Sequence, residues 1–154
     1  MLMEATFSEC GRYRYSLKRQ WAEGPRVLFV MFNPSTADYT DDDPTIGRCI
    51  SFAKSWGFGS LQVGNLFGYK TPYPVELFRE SSPIGDENDH WLADLSKTAD
   101  LTVAAWGNNG KFMGRGKAVL LSLNNPHFLK MTNQNEPWHP LYLSRELKPI
   151  AYPV

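Results

Sequence analysis

Cysteine and histidine are both scarce in this chain: Cys10 and Cys49 are the only two cysteines, and three histidines stand among 154 residues. Two cysteines make no disulfide framework, and their spacing suits no metal site, which fits a reducing compartment. No clustered set of histidine, cysteine and carboxylate is visible, so neither a metal nor another cofactor is expected. A charge excess of one sign is missing too. The 16 lysines and arginines balance 16 acidic residues, so any attraction to nucleic acid has to be local. No apolar run is long enough to cross a bilayer, and MLMEATFSEC has neither a basic start nor an apolar h-region. A cytoplasmic protein without a membrane partner is expected. Repeats and low-complexity tracts are absent as well, and the length suits one domain, residues 1–154, with a sizeable core.

What is present is organised around RVLFVMFNPSTADYTDDDPTIGR, Arg26 to Arg48. Val27-Leu28-Phe29-Val30-Met31-Phe32 is a continuous apolar run, the pattern of a strand buried on both faces of a parallel sheet. Pro34 removes a ladder donor, so the chain leaves the sheet at Asn33-Pro34-Ser35, on the carboxyl edge where open α/β sheets bind ligands. An acidic loop follows. Asp43 then reads as a helix cap and Pro44 as the first helical residue. That helix, Thr45 to Trp56, is closed by Gly57 and Gly59 and crosses over to a second strand, Ser60 to Leu66, which brings Asn65 to the same edge as Asn33.

On the amino-terminal side, Tyr13, Tyr15 and Leu17 alternate with Arg12, Arg14 and Lys18. This period of two predicts an edge strand, half of a hairpin closed near Glu23-Gly24-Pro25, whose basic residues either solubilise the edge or serve function. Downstream, Glu76 to Arg79 gives one helical turn, and Asp86 to Ala99 a helix capped by Asp86 that buries Trp91, Leu92 and Leu95. Leu101 to Trp106 is a third buried strand, and it meets Gly107-Asn108-Asn109-Gly110. The glycine-rich turn that follows offers backbone donors to an anion, with Lys111, Arg115 and Lys117 nearby, although it lacks the Walker spacing. A helix over Ala118 to Leu123, a fourth strand over Phe128 to Met131 and a terminal helix from Leu141 to Leu147 complete the pattern. The prediction is a three-layer α/β/α fold around a central, mostly parallel four-stranded sheet, with an N-terminal edge strand or hairpin.

Four segments in order resemble the uracil-DNA glycosylase superfamily. FNPS at 32–35 is similar to its first catalytic motif, and GNLF at 64–67 to the strand carrying its base-reading asparagine. AAWGNNG at 104–110 is similar to its tryptophan-glycine strand end, and HPLYLS at 139–144 to its histidine-proline motif. More narrowly, YRYSL, MFNPSTAD, DDDPTIGR, NLF and HPLYL together resemble a bacterial and phage family still called a domain of unknown function, DUF1643-like, over nearly the whole chain.

Cleaving an N-glycosidic bond leaves positive charge on the sugar and negative charge on the base, so a catalyst needs a donor at the base oxygen and a group that holds water. The resemblance implies that a neutral His139 is the donor, that Asn65 reads the flipped base through its amide, and that Phe32, Tyr39 or Phe67 stacks on it beside Pro34 and Ser35. Asn33 replaces the aspartate of the efficient branch of the superfamily, and its pairing with His139 resembles the single-strand-selective monofunctional branch. Slow turnover is then expected, or a water held by Asp38, Asp41, Asp42 or Asp43, whose carboxylate beside a dry pocket would have a raised pKa. The plain reading of that acidic run is a solvated loop with one cap. Arg48 either grips a phosphate or pairs with Asp43 or Asp42. Gly107, Asn108, Lys111, Arg115, Tyr142 and Ser144 are the DNA-facing set, Tyr142 and Ser144 lying in the loop that by resemblance contacts phosphate and wedges the duplex. The expected function is a monofunctional DNA glycosylase acting as a monomer on single- or double-stranded DNA. The alternatives are a noncatalytic nucleotide or nucleic-acid binding module and a hydrolase of free nucleosides or nucleotides.

Overall fold

The computed structural model describes residues 1–153. Its strands are β1 (Leu2–Phe7), β2 (Arg14–Gln20), β3 (Arg26–Met31), β4 (Ser60–Asn65), β5 (Leu101–Ala104), β6 (Pro126–Phe128) and β7 (Ile150–Ala151). The helices are α1 (Pro44–Ser55), α2 (Pro74–Arg79), α3 (Asn88–Thr98) and α4 (Arg115–Ser122). All seven strands join one mixed sheet in the order β1-β2-β4-β3-β5-β6-β7. Parallel strands form its centre: β3 pairs in parallel with β4 and β5, and β5 with β6, which lies at Pro126–Phe128 instead of the expected Phe128 to Met131. Antiparallel strands extend both edges, β1 and β2 beyond β4 and β7 beyond β6. Among the described residues no helix is long and apolar enough to cross a membrane.

β3 is the centre because Val27 to Val30 have no exposed surface on either face. One face joins Val27, Phe29 and Met31 to Ile46, Cys49 and Ala53 of α1. The other joins Leu28, Val30 and Phe32 to Leu77 of α2, Leu92 and Leu95 of α3, and Val119 of α4. From β3 the chain runs through α1 to β4 on one side, and then through α3 to β5 on the other. The strand order therefore reverses between β3 and β5, and a crevice opens beyond their carboxyl ends.

The amino-terminal expectation needs correction. The hairpin is β1 with β2, turned at residues 8–13 instead of near Glu23-Gly24-Pro25, and β2 is an inner strand packed on β4. Its arginines do not solubilise an edge: Arg14 and Arg19 are both buried. Thr6 faces Ser16 while Phe7 faces Arg14, which leaves Tyr15 as the extra residue of a bulge. A bulge reverses the side-chain alternation, so Arg14 shares the α1 face with Leu17 and Arg19. Arg19 gathers the acidic loop around itself. Its Nε pairs with Asp42 Oδ1 at 2.7 Å, and its Nη2 donates to the carbonyls of Asp38 and Asp41.

Smaller departures follow from packing. Asp43 caps α1 as expected, its Oδ1 accepting from the Ile46 amide at 2.9 Å. Asp86 does not cap α3, which starts at Asn88. In place of a terminal helix stands one 3₁₀ turn, Pro140–Tyr142, and the short strand β7 closes the sheet. Trp91 is only half-buried.

Removing a buried, multiply bonded cation while leaving its partners costs about 3 kcal/mol. Arg19→Met is expected to lose about that much stability in urea unfolding, and exposed Arg12→Met less than about 0.5 kcal/mol. A loss under about 1 kcal/mol for Arg19→Met would contradict this role.

Candidate functional site

Two adjoining cavities open at the carboxyl edge of the parallel strands, and Asn33 and His139 line both. The larger, about 330 Å³, is walled by Phe32, Pro74 and Trp106 to Asn109, in the crevice between β3 and β5. The smaller, about 130 Å³, is walled by Arg14, Met31, Ser35, Asp43, Thr45, Ile46, Thr71 and Pro72. The smaller lies over the α1 face of the sheet.

Asn33 sits where the chain leaves β3. Its Nδ2 donates to the carbonyls of Pro34 and Thr71, both at 2.9 Å, and of Tyr69 at 3.3 Å. Three carbonyls around one amide atom identify it as the nitrogen, because an oxygen there would face only acceptors. Oδ1, without a protein partner among the described residues, is the atom left for the cavity.

His139 comes from the far end of the chain and is held by backbone. The Gly107 amide donates to Pro137 O at 2.7 Å, which lays the 137–139 segment across the end of β5. A Cβ on Gly107 would sit 3.8 Å from the Cβ of His139, and the φ of +71° at this position suits glycine. His139 Nδ1 accepts from the Leu141 amide at 3.3 Å. A ring nitrogen that accepts carries no proton, so the neutral tautomer bears its hydrogen on Nε2. Burial lowers the histidine's pKa, and the nearby Asp43 carboxylate opposes that in part. The two cavities are thus lined by a neutral imidazole whose Nδ1 is engaged and by an amide whose nitrogen is engaged.

Asn65 does not line either cavity, yet its position is informative. It is 1% exposed, and among the described residues neither atom of its amide has a hydrogen-bond partner. Asn65 is the cross-strand neighbour of Met31, and β2 lies on its other side. Met31 lines the smaller cavity, so Asn65 lies beside a wall residue of that cavity without lining it.

Several expected contacts are not made. Phe67 is fully buried behind Phe32, at 5.3 Å between ring centroids, and cannot stack on a base. Tyr39 is exposed and outside both cavities. Pro34 is buried, with its carbonyl accepting from Asn33 and from Thr71. Arg48 pairs with neither Asp42 nor Asp43. It donates to the Leu143 carbonyl and lies over the Phe52 ring, which ties α1 to the turn after His139. Arg115 is no free phosphate ligand, because its guanidinium binds Leu66 O and Asp89 at 2.7 Å each.

The glycine-rich turn is also less open than expected. The Gly107 and Gly110 amides are both bonded to carbonyls, and Asn108 Oδ1 accepts from Thr132 at 2.6 Å. Lys111 lines a separate cavity behind Trp106. Trp106 is a core residue with one surface in the larger cavity, and Gly110 is required beside it, since a Cβ there would lie 2.0 Å from the indole. Tyr142 is 84% exposed just past His139-Pro140, and Ser144 accepts from the Glu146 amide at 3.3 Å.

Most of the acidic run is structural. Asp38 accepts from the Thr40 and Asp41 amides, which hold its pKa below the ordinary carboxylate range instead of raising it. Asp42 pairs with Arg19. Of the four, Asp43 is the one that lines the smaller of these two cavities, while its Oδ1 caps α1. The residue missed from sequence is Arg14, which looks like an edge charge until the bulge at Tyr15 is seen.

The chain belongs to the family described as "Protein of unknown function (DUF1643)", whose model matches residues 14–141. That span contains every residue lining the two cavities. Searches of the curated proteins and of the solved structures found no match.

The lowered pKa of His139 has a signed consequence. Between the folded value and the ordinary one of about 6.5, the unfolded chain binds the proton more readily. The contribution to stability is therefore complete above about pH 6.5 and is lost as pH falls through that window. Side-chain nitrogen NMR is expected to show a protonated Nε2, and the pH dependence of unfolding to weaken in His139→Gln. A His139 that titrates at or above the ordinary value, or carries its proton on Nδ1, would contradict the assignment.

Proposed function

We propose that this family member is a monofunctional glycosylase-like hydrolase that accepts an extruded base, modified pyrimidines included, and cleaves its N-glycosidic bond. The observation that carries the reading is that Asn33 and His139, more than a hundred positions apart in the chain, line the same two adjoining cavities. As the bond breaks, its electron pair passes to the base, and His139 Nε2–H hydrogen-bonds the base oxygen where charge accumulates. Asn33 Oδ1 accepts one hydrogen of a water and aims its oxygen at the cationic sugar carbon. An amide does not take up the proton, so that proton passes to solvent or to Asp43, which makes turnover slower than with an aspartate at position 33.

The crevice lies where the strand order reverses, a position that favours ligand binding in α/β sheets. The apolar clusters on both faces of the sheet fit the three-layer glycosylase-like arrangement that belongs to this reading. Phe32 and Trp106 supply aromatic surface in the larger cavity, and the exposure of Tyr142 supports a role for it as the wedge that enters a duplex. A second reading, a hydrolase of free nucleosides or nucleotides, draws on Arg48 and Arg115, whose internal bonds leave fewer cations for a DNA backbone.

Oligonucleotides carrying uracil, hydroxymethyluracil or larger modified pyrimidines are expected to show alkali-labile abasic sites after incubation with the protein. Asn33→Ala and His139→Ala should each lower the rate by about 10²- to 10³-fold. Release from mononucleotides alone would favour the second reading. Folded protein that releases no base from any of these substrates would overturn both.

A further inference from the structure

Arg14 is the most unusual side chain at the site. It is 2% exposed, lines the smaller cavity, and has no carboxylate within salt-bridge distance among the described residues. Its Nη1 donates to Ala37 O at 2.9 Å. The buried Nε has no partner among the described residues, and Nη2 takes no part in that bond. Nε and Nη2 form one edge of the planar guanidinium, and two parallel donors on an edge are suited to acceptors on a planar group. Burial draws its pKa down to about 10, so it stays charged at neutral pH.

A buried cation with idle donors ordinarily suggests an anion, but the same cavity contains the carboxylate of Asp43, which stabilises the charge on Arg14. The local charge is already balanced, and an incoming anion would face Asp43. The cavity therefore suits a neutral, planar, acceptor-bearing group. Asn65 adds the second observation: its amide, with one donor and one acceptor side, is also buried and, among the described residues, unpartnered, on the strand position next to the cavity residue Met31. An amide of this kind complements a ring edge that carries a carbonyl next to a ring N–H.

We propose that Arg14 is a specificity-determining residue that reads the carbonyl edge of a base seated in the smaller cavity, so that keto bases are accepted and bases with an exocyclic amine at that edge are rejected. This rests on the glycosylase reading for the identity of the ligand as a base. The discrimination arises because an amine would set donor against donor in a dry site, leaving both unpaired.

Binding of free bases tests the inference apart from catalysis. In titrations of the full chain, uracil is expected to bind at least about tenfold more tightly than cytosine. Arg14→Met should bring the two within about threefold, while Arg14→Lys, which keeps a donor, should retain part of the preference. If Arg14→Met does not fold, Arg14→Lys decides, since a ratio unchanged from wild type there would overturn the inference. Equal binding of the two bases, binding of neither, or competition by inorganic phosphate that Arg14→Lys abolishes would overturn the inference. Base release from oligonucleotides without this preference would leave the glycosylase reading standing alone. A uracil preference in a protein that releases no base would remove the hydrolase and keep the recognition site.

Discussion

The amide of Asn33 is the constraint on which the site depends. Its nitrogen is surrounded by three carbonyls, two of them from the loop after β4, so it fastens the end of β3 to the segment carrying Tyr69 and Thr71. With the nitrogen committed, the oxygen is the atom of this cavity-lining amide left for a ligand. An aspartate at this position would point carboxylate oxygens at the same carbonyls, a repulsive arrangement unless protonated. The loop and the residue at position 33 are therefore matched, and the asparagine is a structural requirement of this corner as well as a chemical choice.

His139 is fixed by comparable means from the other direction. Three backbone links hold its segment: Pro137 O to Gly107, the Leu143 carbonyl to Arg48, and the Leu141 amide to the imidazole itself. The last determines the tautomer, and burial keeps the ring neutral. A neutral donor next to a developing anion stabilises it without first having to lose its own strong hydration, which is how polar groups become effective in a partly dry site. Arg48, read from sequence as a phosphate or carboxylate partner, contributes instead by holding the loop that carries the histidine.

Much of the centre was legible in the chain because it obeys local rules. The apolar run from Val27 has the pattern of a doubly buried strand, Asp43-Pro44 marks a helix start, and Asn33 and His139 stand in short motifs that follow strand ends. Position along a strand, however, does not reveal which strand becomes an edge. Arg14 alternates with Tyr13, Tyr15 and Leu17 just as a solvent-facing residue does, and only the bulge at Tyr15 brings it onto the buried face of Leu17 and Arg19. Phe67 and Arg115 were misplaced for a related reason: an aromatic and a cation near a predicted site carry no mark of the buried partners, Phe32 and Leu66 O, that occupy them. Local pattern reports the element, whereas the partner of a side chain is a long-range property.

The most direct measurement is a crystal structure of the chain with an oligonucleotide whose target nucleoside carries a 2′-fluoro group, which slows glycosidic cleavage. The account predicts an extruded base at the shared opening, its oxygen within hydrogen-bond distance of His139 Nε2, and a water on Asn33 Oδ1 facing the sugar carbon. A base bound elsewhere, with the Asn33 oxygen turned toward Thr71 or the His139 ring turned away, would contradict it.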